Sequence, residues 1–506
     1  MDGKFYLTTP IYYVNDKPHI GHLYTTVAAD VIARYHRLRG DRTRFVTGTD
    51  ENSQKNVEAA QKNGETDIQA YLDRMSANWR DTWSALGISF DDFIRTTEDR
   101  HKKGVEKFWN AVFANGDIYQ GEYEGLYCTG CEAFYRENDL VEGKCPIHRK
   151  EVAKLKEKNW FFRLKKYRDA LLAHIDAHPE FIRPESRRNE VRSYVDKFME
   201  DVSISRETVK WGIPVPNDPK SVIYVWFDAL LNYMTAVGYG TDDAMFAEWW
   251  PADVHLVGKD IIKFHCALWP AMLMSAGLPL PKSVFAHGYF TVDGVKMSKS
   301  LGNAIDPKDL AAKYGMDAIR FFLLREIPFG EDGDFSEERL RQRYSGELGN
   351  TLGNLVHRVL SMTDRYFGGR VPVNAGDGSA VIADAWQAYD KAMDELDFFA
   401  AVEVVLGIAR TMNGEIDSQK PWELAKTDMD RLAALMYRHL EQLRHLAWML
   451  KPLMPETAEK MLMQLGVGER DSGKTYDQAK DWGGMAEGAT IAKGQPLFPR
   501  LEGEKA

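Results

Sequence analysis

The chain has 506 residues, 44% hydrophobic and 28% charged, with 65 Lys and Arg against 75 Asp and Glu for a formal net charge of −10. At about 150 residues per domain, such a length suggests three or four domains. The composition excludes a largely disordered chain and a disulfide-rich secreted scaffold, and no apolar run approaches the ~20 residues of a membrane span.

Residues 4–9 read as a strand that begins directly after Met1-Asp2-Gly3, so no signal peptide is expected and the cytoplasm is the expected compartment. A loop with Asn15, Asp16 and Pro18 leads to a helix beginning near Gly21. Leu23, Val27, Val31, Ile32 and Tyr35 keep helical spacing there, and Gly40 stands where a C-cap belongs. Residues 43–49 form a second strand, ending at Asp50 and Glu51. Strand, helix, strand opens a parallel α/β sheet. Helical patterns fill 51–115, and between 116 and 225 turn residues and short alternating segments indicate a small inserted domain. The sheet pattern returns at 221–226, 253–257 and 284–292, before an Asp293-Gly294 turn. From about 335 the chain reads as helices. Leu432, Leu435, Met436, Leu440, Leu443, Leu446 and Leu450 form the core seam of a bundle, stopped by Lys451-Pro452, and a tail follows Gly466.

Three clusters carry chemistry. In Pro18-His19-Ile20-Gly21-His22, two histidines share one face at a helix N-terminus, where anions are favoured and Gly21 permits close approach. Lys296-Met297-Ser298-Lys299-Ser300 places two lysines on a loop suited to closing on phosphates, although a lone KxxK is more often a solvated turn. Order strengthens the pair: one motif follows the first strand and the other the last, and ligands bind at the carboxyl ends of parallel strands. The third cluster is Cys128-x2-Cys131-x13-Cys145-x2-His148, which fits a closed, structural Cys₃His zinc site. Cys266 stands alone in an apolar stretch and reads as a small buried hydrophobe.

The HIGH and KMSKS pair is the signature of class I aminoacyl-tRNA synthetases, and nearly the whole chain resembles the methionyl-tRNA synthetases. The segments that carry the likeness are Thr9-Pro10-Ile11-Tyr12-Tyr13, Tyr224-Val225-Trp226-Phe227-Asp228-Ala229, Gly258-Lys259-Asp260-Ile261, Ala286-His287-Gly288-Tyr289 and Lys420-Pro421-Trp422. The length leaves no room for the large editing insertion of the valine, isoleucine and leucine relatives.

The resemblance implies an α/β fold: a Rossmann-like parallel-sheet catalytic domain with a zinc-containing insertion, followed by an α-helical anticodon-binding bundle. The expected boundaries are 1–115 and 226–335 for the two catalytic halves, 116–225 for the insertion and 336–506 for the bundle. It further implies that Ile11, Tyr13, Trp226, Ala229, Leu230, Tyr233 and His287 line a methionine side-chain pocket and that Asp50 pairs with the substrate ammonium. Aromatic rings suit a polarizable thioether, and Tyr and His can offer it a hydrogen bond. Leu230 replaces a proline of some relatives, and Trp226 and Tyr233 also fit plain core packing. Gly258 and Asp260 fall near the ATP ribose, and His19, Gly21, His22, Lys296 and Lys299 around the phosphates, with Mg²⁺ accompanying ATP. Asn354, Arg358 and Trp422 fall at the anticodon.

The implied activity is ATP-dependent formation of methionyl-adenylate, then transfer to the terminal adenosine of initiator and elongator tRNA(Met). No membrane partner is implied, and a monomer is expected because the dimerising C-terminal domain of some relatives is absent. Two other readings are a small-molecule nucleotidyltransferase and a catalytically dead RNA-binding relative. The helical third and the zinc insert weigh against the first, and the intact motifs against the second.

Overall fold

The structure is a computed structural model describing residues 3–128, 133–135, 137–146, 149–292, 295–296, 305–373, 376–468 and 473–501. The chain divides into two compact units, one made of Lys4–Pro18 and Thr43–His287, the other of Met1–Gly3, His19–Arg42 and Gly288–Ala506.

The first unit is built on a six-stranded sheet. Its strands are β1 (Lys4–Tyr13), β2 (Arg42–Asp50), β3 (Asp92–Arg95), β4 (Ile182–Arg183), β5 (Val254–Gly258) and β6 (Val284–His287), in the order β3-β2-β1-β5-β6-β4. Parallel register runs Leu7 to Val254, Gly258 to His287, Val284 to Ile182 and Thr49 to Arg95. β5 and β6 are short, mostly apolar and buried throughout, as strands covered on both faces must be. Phe108, Trp109, Phe227 and Trp269 belong to the same buried cluster as Val257, Val284 and Ala286 of these strands. Strands Ile118–Cys128, Ala133–Tyr135, Ala153–Phe162 and Val202–Ser203 form an antiparallel sheet of their own.

Besides β3, a strand within the stretch 51–115 that reads as helical, two sequence expectations change here. Residues 221–226 do not enter the parallel sheet: Val222 pairs with Arg206 and Ile223 with Ser205 in a small antiparallel sheet. The Tyr224 carbonyl then accepts from Asp228 N, and Val225–Ala229 becomes a helix. Nor is 284–292 one strand. β6 ends at His287, and Phe290–Val292 joins Val295–Lys296 and Gly333–Phe335 in a separate three-stranded sheet. Gly288 makes the break possible, since a Cβ there would lie 2.2 Å from the Glu331 carbonyl oxygen. The lysine motif therefore begins, at Lys296, on a hairpin outside the parallel sheet. The Asp293-Gly294 turn itself lies outside the described residues.

The second unit is helical apart from that small sheet. Helix Ile20–Leu38 lies between β1 and β2 in sequence, yet it packs along helix Met429–Leu453 within this unit. It buries Val27, Val31, Ile32 and Tyr35, and Gly40 follows its cap with φ +90°. Its wholly buried Asp30 accepts from Arg320 Nη1 at 2.6 Å and from Arg34 Nε at 2.7 Å. Arg320 also donates to the carbonyls of Leu453 (2.8 Å) and Pro452 (2.9 Å). Helix Met429–Leu453 thus runs past the expected stop and carries Pro452 in its last turn, where Arg320 caps the orphaned carbonyls of Pro452 and Leu453. The tail is tied down by Glu441, whose carboxylate accepts from the N–H groups of Gly483, Gly484 and Met485. Among the described residues no helix is long and apolar enough to cross a membrane.

Candidate active site

Helix Ile20–Leu38 is capped by the histidines of the first motif. Nδ1 of His19 accepts from Gly21 N at 3.1 Å and Nδ1 of His22 from His19 N at 3.2 Å, with the rings 3.7 Å apart. A ring nitrogen that accepts carries no proton, so both imidazoles hold theirs at Nε2. Burial, assisted by His19, pushes the His22 pKa well below its ordinary value. The pair is therefore two neutral donors fixed by the backbone at a helix N-terminus.

The second motif belongs to the same unit. Ile20 N donates to Ile305 O at 3.2 Å, which ties the helix start to the chain just beyond the lysine motif. Tyr24, one turn further on, packs edge-on against Phe290 at 4.7 Å, on the hairpin where Thr291 pairs with Lys296. Lys299 lies outside the described residues.

In the first unit, the carboxyl ends of the strands carry Tyr13 (β1), Asp50 (β2), Arg95 (β3), Gly258 (β5) and His287 (β6). Asp50 is buried, and its Oδ1 accepts from Asn52 N at 3.2 Å. Next to it, Glu51 takes a two-pronged bond from Arg95 at 2.7 and 3.0 Å. Lys55 Nζ stands 4.3 Å over the Tyr13 ring, and Ile11 is half-buried against the core. Asp260 is exposed in the turn after β5, and His287 lies in register with Gly258.

Trp226, Ala229 and Leu230 share one short helix and its cap, and Tyr233 follows in the next turn. Trp226 stacks flat on Phe264 at 4.0 Å, and its indole N–H is buried without an acceptor among the described residues. Tyr233 is buried with its hydroxyl 2.7 Å from His265 Nε2, while His265 Nδ1 lies 2.9 Å from the Ile261 carbonyl. A carbonyl only accepts, so His265 donates from Nδ1 and receives the Tyr233 proton at Nε2. Burial pushes the His265 pKa down to about 4, against the opposing pull of the Ile261 carbonyl and Asp260. Tyr233 thus directs its hydroxyl hydrogen bond to His265 rather than to a ligand. His265 and Phe264 were not among the sequence candidates. They sit on a π-helical turn, Phe264–Leu268, whose wider spacing conceals them from a 3.6-residue pattern.

Cys128 and Cys145 are both buried in the small antiparallel module. Arg149 N returns to the Cys145 carbonyl at 2.8 Å, closing a tight turn. Cys131 and His148 lie outside the described residues, and among the described residues no three His, Cys, Asp or Glu side chains gather as a metal site. Cys266 is buried, which raises its thiol pKa.

In the helical unit, Asn354 is exposed at the start of helix Asn354–Phe367. Arg358, one turn on, donates to Asp417 at 2.7 Å and Asn413 at 3.4 Å, both on helix Phe398–Gln419. That helix ends at Lys420 in the left-handed region (φ 48°), and Pro421 then opens the helix carrying Trp422. Trp422 is 44% exposed, so it is not a core residue.

Residues 5–155 and 147–360 match the family described as tRNA synthetases class I (M), and residues 374–506 match the anticodon binding domain of methionyl tRNA ligase. The chain belongs to the methionyl-tRNA ligase family. Methionine–tRNA ligase of Streptomyces coelicolor is 48% identical, with 99% of this chain and 97% of that protein covered. The Thermotoga maritima enzyme is 46% identical over 99% of this chain and 80% of its own length. Mycobacterium tuberculosis methionyl-tRNA synthetase bound by methionyl-adenylate superposes with a TM-score of 0.93 at 39% identity, covering 98% of this chain and 100% of that one. Both conformational halves of the family's description, the class I synthetase and its anticodon domain, are therefore present in one polypeptide.

Proposed function

We infer that the protein is a methionine–tRNA ligase. It activates L-methionine with ATP and transfers the methionyl group to the 3′-terminal adenosine of tRNA(Met). The observation that carries this is the full-length family match, joined to a helix N-terminus whose two imidazoles are fixed as donors.

In the first step a methionine carboxylate oxygen attacks the α-phosphorus of ATP, and pyrophosphate leaves with the electron pair of the broken P–O bond. His19 and His22 donate from Nε2 to phosphate oxygens as charge builds, and Lys296 and Lys299 supply cationic donors, with Mg²⁺ accompanying the nucleotide. Donors held in place before reaction stabilise the transition state without reorganising. Gly21 admits the phosphates close to the backbone, and Gly258 and Asp260 take the ribose. Asp50 takes the methionine ammonium, and Ile11, Tyr13, Trp226, Ala229, Leu230 and Tyr233 wall the side chain, joined by Phe264 and His265. His287, in register with Gly258, closes the same end of the sheet. In the second step a hydroxyl of the terminal adenosine, the 2′ in this class, attacks the carbonyl carbon and AMP leaves. Asn354, Arg358 and Trp422 meet the anticodon, where stacking on an exposed ring is how unpaired bases are held.

The antiparallel module holds one structural zinc through Cys128, Cys131, Cys145 and His148. What supports this is that Cys128 and Cys145 are both buried there, with a tight turn closing on the Cys145 carbonyl, and that thiolates and an imidazole suit zinc. The domain boundaries follow the same reading, with residues 1–115 and 226–335 catalytic, 116–225 inserted and 336–506 anticodon-binding. The working form is a monomer in the cytoplasm, where charged tRNA is used. Pyrophosphate exchange with ATP and each amino acid in turn tests the assignment. Methionine-dependent exchange is expected; none with methionine, or equal exchange with another amino acid, refutes it. Lys299→Ala should lower adenylation about 10²–10³-fold, as loss of one charge-stabilising donor does.

A further inference from the structure

Between Asp50 and the helix carrying Trp226 runs a chain of buried polar side chains. Asp228, on that helix, is wholly buried; its Oδ2 accepts from Asn52 Nδ2 at 2.8 Å and its Oδ1 lies 2.7 Å from His101 Nε2. Nδ1 of His101 is 2.8 Å from Thr235 Oγ1. Asn52 is 7% exposed, its side-chain amide also reaches the Thr96 carbonyl at 3.2 Å, and its backbone N–H is the donor to Asp50 Oδ1. A buried carboxylate is costly unless its oxygens are satisfied, and apolar packing would fill such a place more cheaply. The arrangement has a geometric result. Asn52 grips the Asp50 carboxylate with its backbone and, with its side chain, a helix position two residues from Trp226 and one from Ala229. Two hydrogen bonds through one residue therefore join the anchor for the substrate ammonium to the wall for its side chain.

We propose that Asn52 and Asp228, backed by His101, are positioning residues that fix the spacing between Asp50 and the side-chain pocket, and thereby the length of amino acid the enzyme accepts. The proposal rests on the assignment of Asp50 to the methionine ammonium. With the tie intact, a side chain one methylene longer must displace either its ammonium from Asp50 or its end from the pocket. With the tie cut, the loop and the helix settle independently, so methionine loses its fit while a longer homologue loses less.

The test uses the full chain in pyrophosphate exchange, with methionine and with ethionine, whose side chain is one methylene longer. Asn52→Ala, the milder Asn52→Ser and Asp228→Asn are compared with the parent, and Asp50→Asn is measured alongside. Removing a hydrogen bond that holds a charged group is expected to raise KM for methionine about tenfold. KM for ATP and kcat should stay within about twofold, because the phosphate donors are elsewhere. The kcat/KM preference for methionine over ethionine should fall about fivefold, within the range that one methylene commands. The proposal is overturned if folded Asn52→Ala and Asn52→Ser keep the parent preference, whatever their melting temperatures. It is equally overturned if kcat and both KM values worsen together with the preference unchanged, the mark of a merely structural role. If Asp50→Asn raises KM for methionine while the Asn52 variants do not, the positioning role alone falls. If Asp50→Asn leaves that KM unchanged, the ammonium assignment falls and the proposal with it.

Discussion

Replacing Arg320 by alanine should loosen the helix that carries His19 and His22. The guanidinium is almost wholly buried and makes three bonds, to Asp30 at 2.6 Å, Leu453 O at 2.8 Å and Pro452 O at 2.9 Å. Arg320→Ala leaves Asp30 in a dry interior with Arg34 as its remaining cation among these contacts, and strips two main-chain carbonyls of a donor. Removing one member of a buried pair costs about 3–5 kcal/mol, chiefly through the charge left behind. A cost of about 4 kcal/mol is therefore expected for Arg320→Ala. The double change Asp30→Asn with Arg320→Met removes both charges and should cost less than the sum of the single changes by about 2 kcal/mol, as contacting pairs do. Urea unfolding of the parent, both single variants and the double variant measures this, with pyrophosphate exchange reporting the histidines. An Arg320→Ala protein within 1 kcal/mol of the parent, or strict additivity in the cycle, would refute the reasoning.

His265 should make stability depend on acid. Its folded-state pKa is about 4, below the ordinary value, so below pH 6.5 the unfolded chain binds a proton that the folded one refuses. Its contribution is complete above about pH 6.5 and is lost towards pH 4 at about 1.4 kcal/mol per unit, or about 2 kcal/mol by pH 5; His265→Gln should flatten that part of the urea-midpoint profile, and an unchanged slope would contradict it. Trp422→Ala should raise KM for tRNA at least about tenfold, as loss of a stacking platform does, with exchange unaffected. Its melting temperature should barely move because the ring is 44% exposed; a large fall with unchanged tRNA dependence would make it structural. Freshly purified protein should carry one zinc per chain, lost in Cys145→Ser and released as acid protonates the thiolates. Metal analysis that finds none, with no chelator used, would defeat the zinc assignment.

Much of this architecture is legible in residue order. The strand–helix–strand opening, the paired histidines at a helix start and the leucine seam of the long helix all rest on local periodicity, and each appears within a few residues of its expected bounds. What was not legible depends on distant partners. In the stretch 284–292 Gly288 is the one local hint of a break, and the main chain that approaches it, at Glu331, lies far along the sequence. The two-residue strand Ile182–Arg183 is too short for a period, and it hides in the stretch that reads as an insertion. Of the candidate site, Asp50, Gly258 and His287 fall at strand ends as parallel-sheet logic demands. His265 is concealed by a π-helical turn, and the Asn52–Asp228 bond joins positions 176 residues apart.

Helix Ile20–Leu38 bears on how far this protein can be shortened. By residue order it is part of the α/β half, and a fragment ending at 335 would keep both of its histidines. Yet the helix rests along Met429–Leu453, and Tyr35 and Arg39 reach Asp390 and Asp394, all beyond that cut. Such a fragment would lose the Met429–Leu453 side of this helix's packing while retaining every residue assigned to adenylation. The two units are interleaved along the chain rather than concatenated, and trimming from the C-terminal side already disturbs the helix that carries His19 and His22.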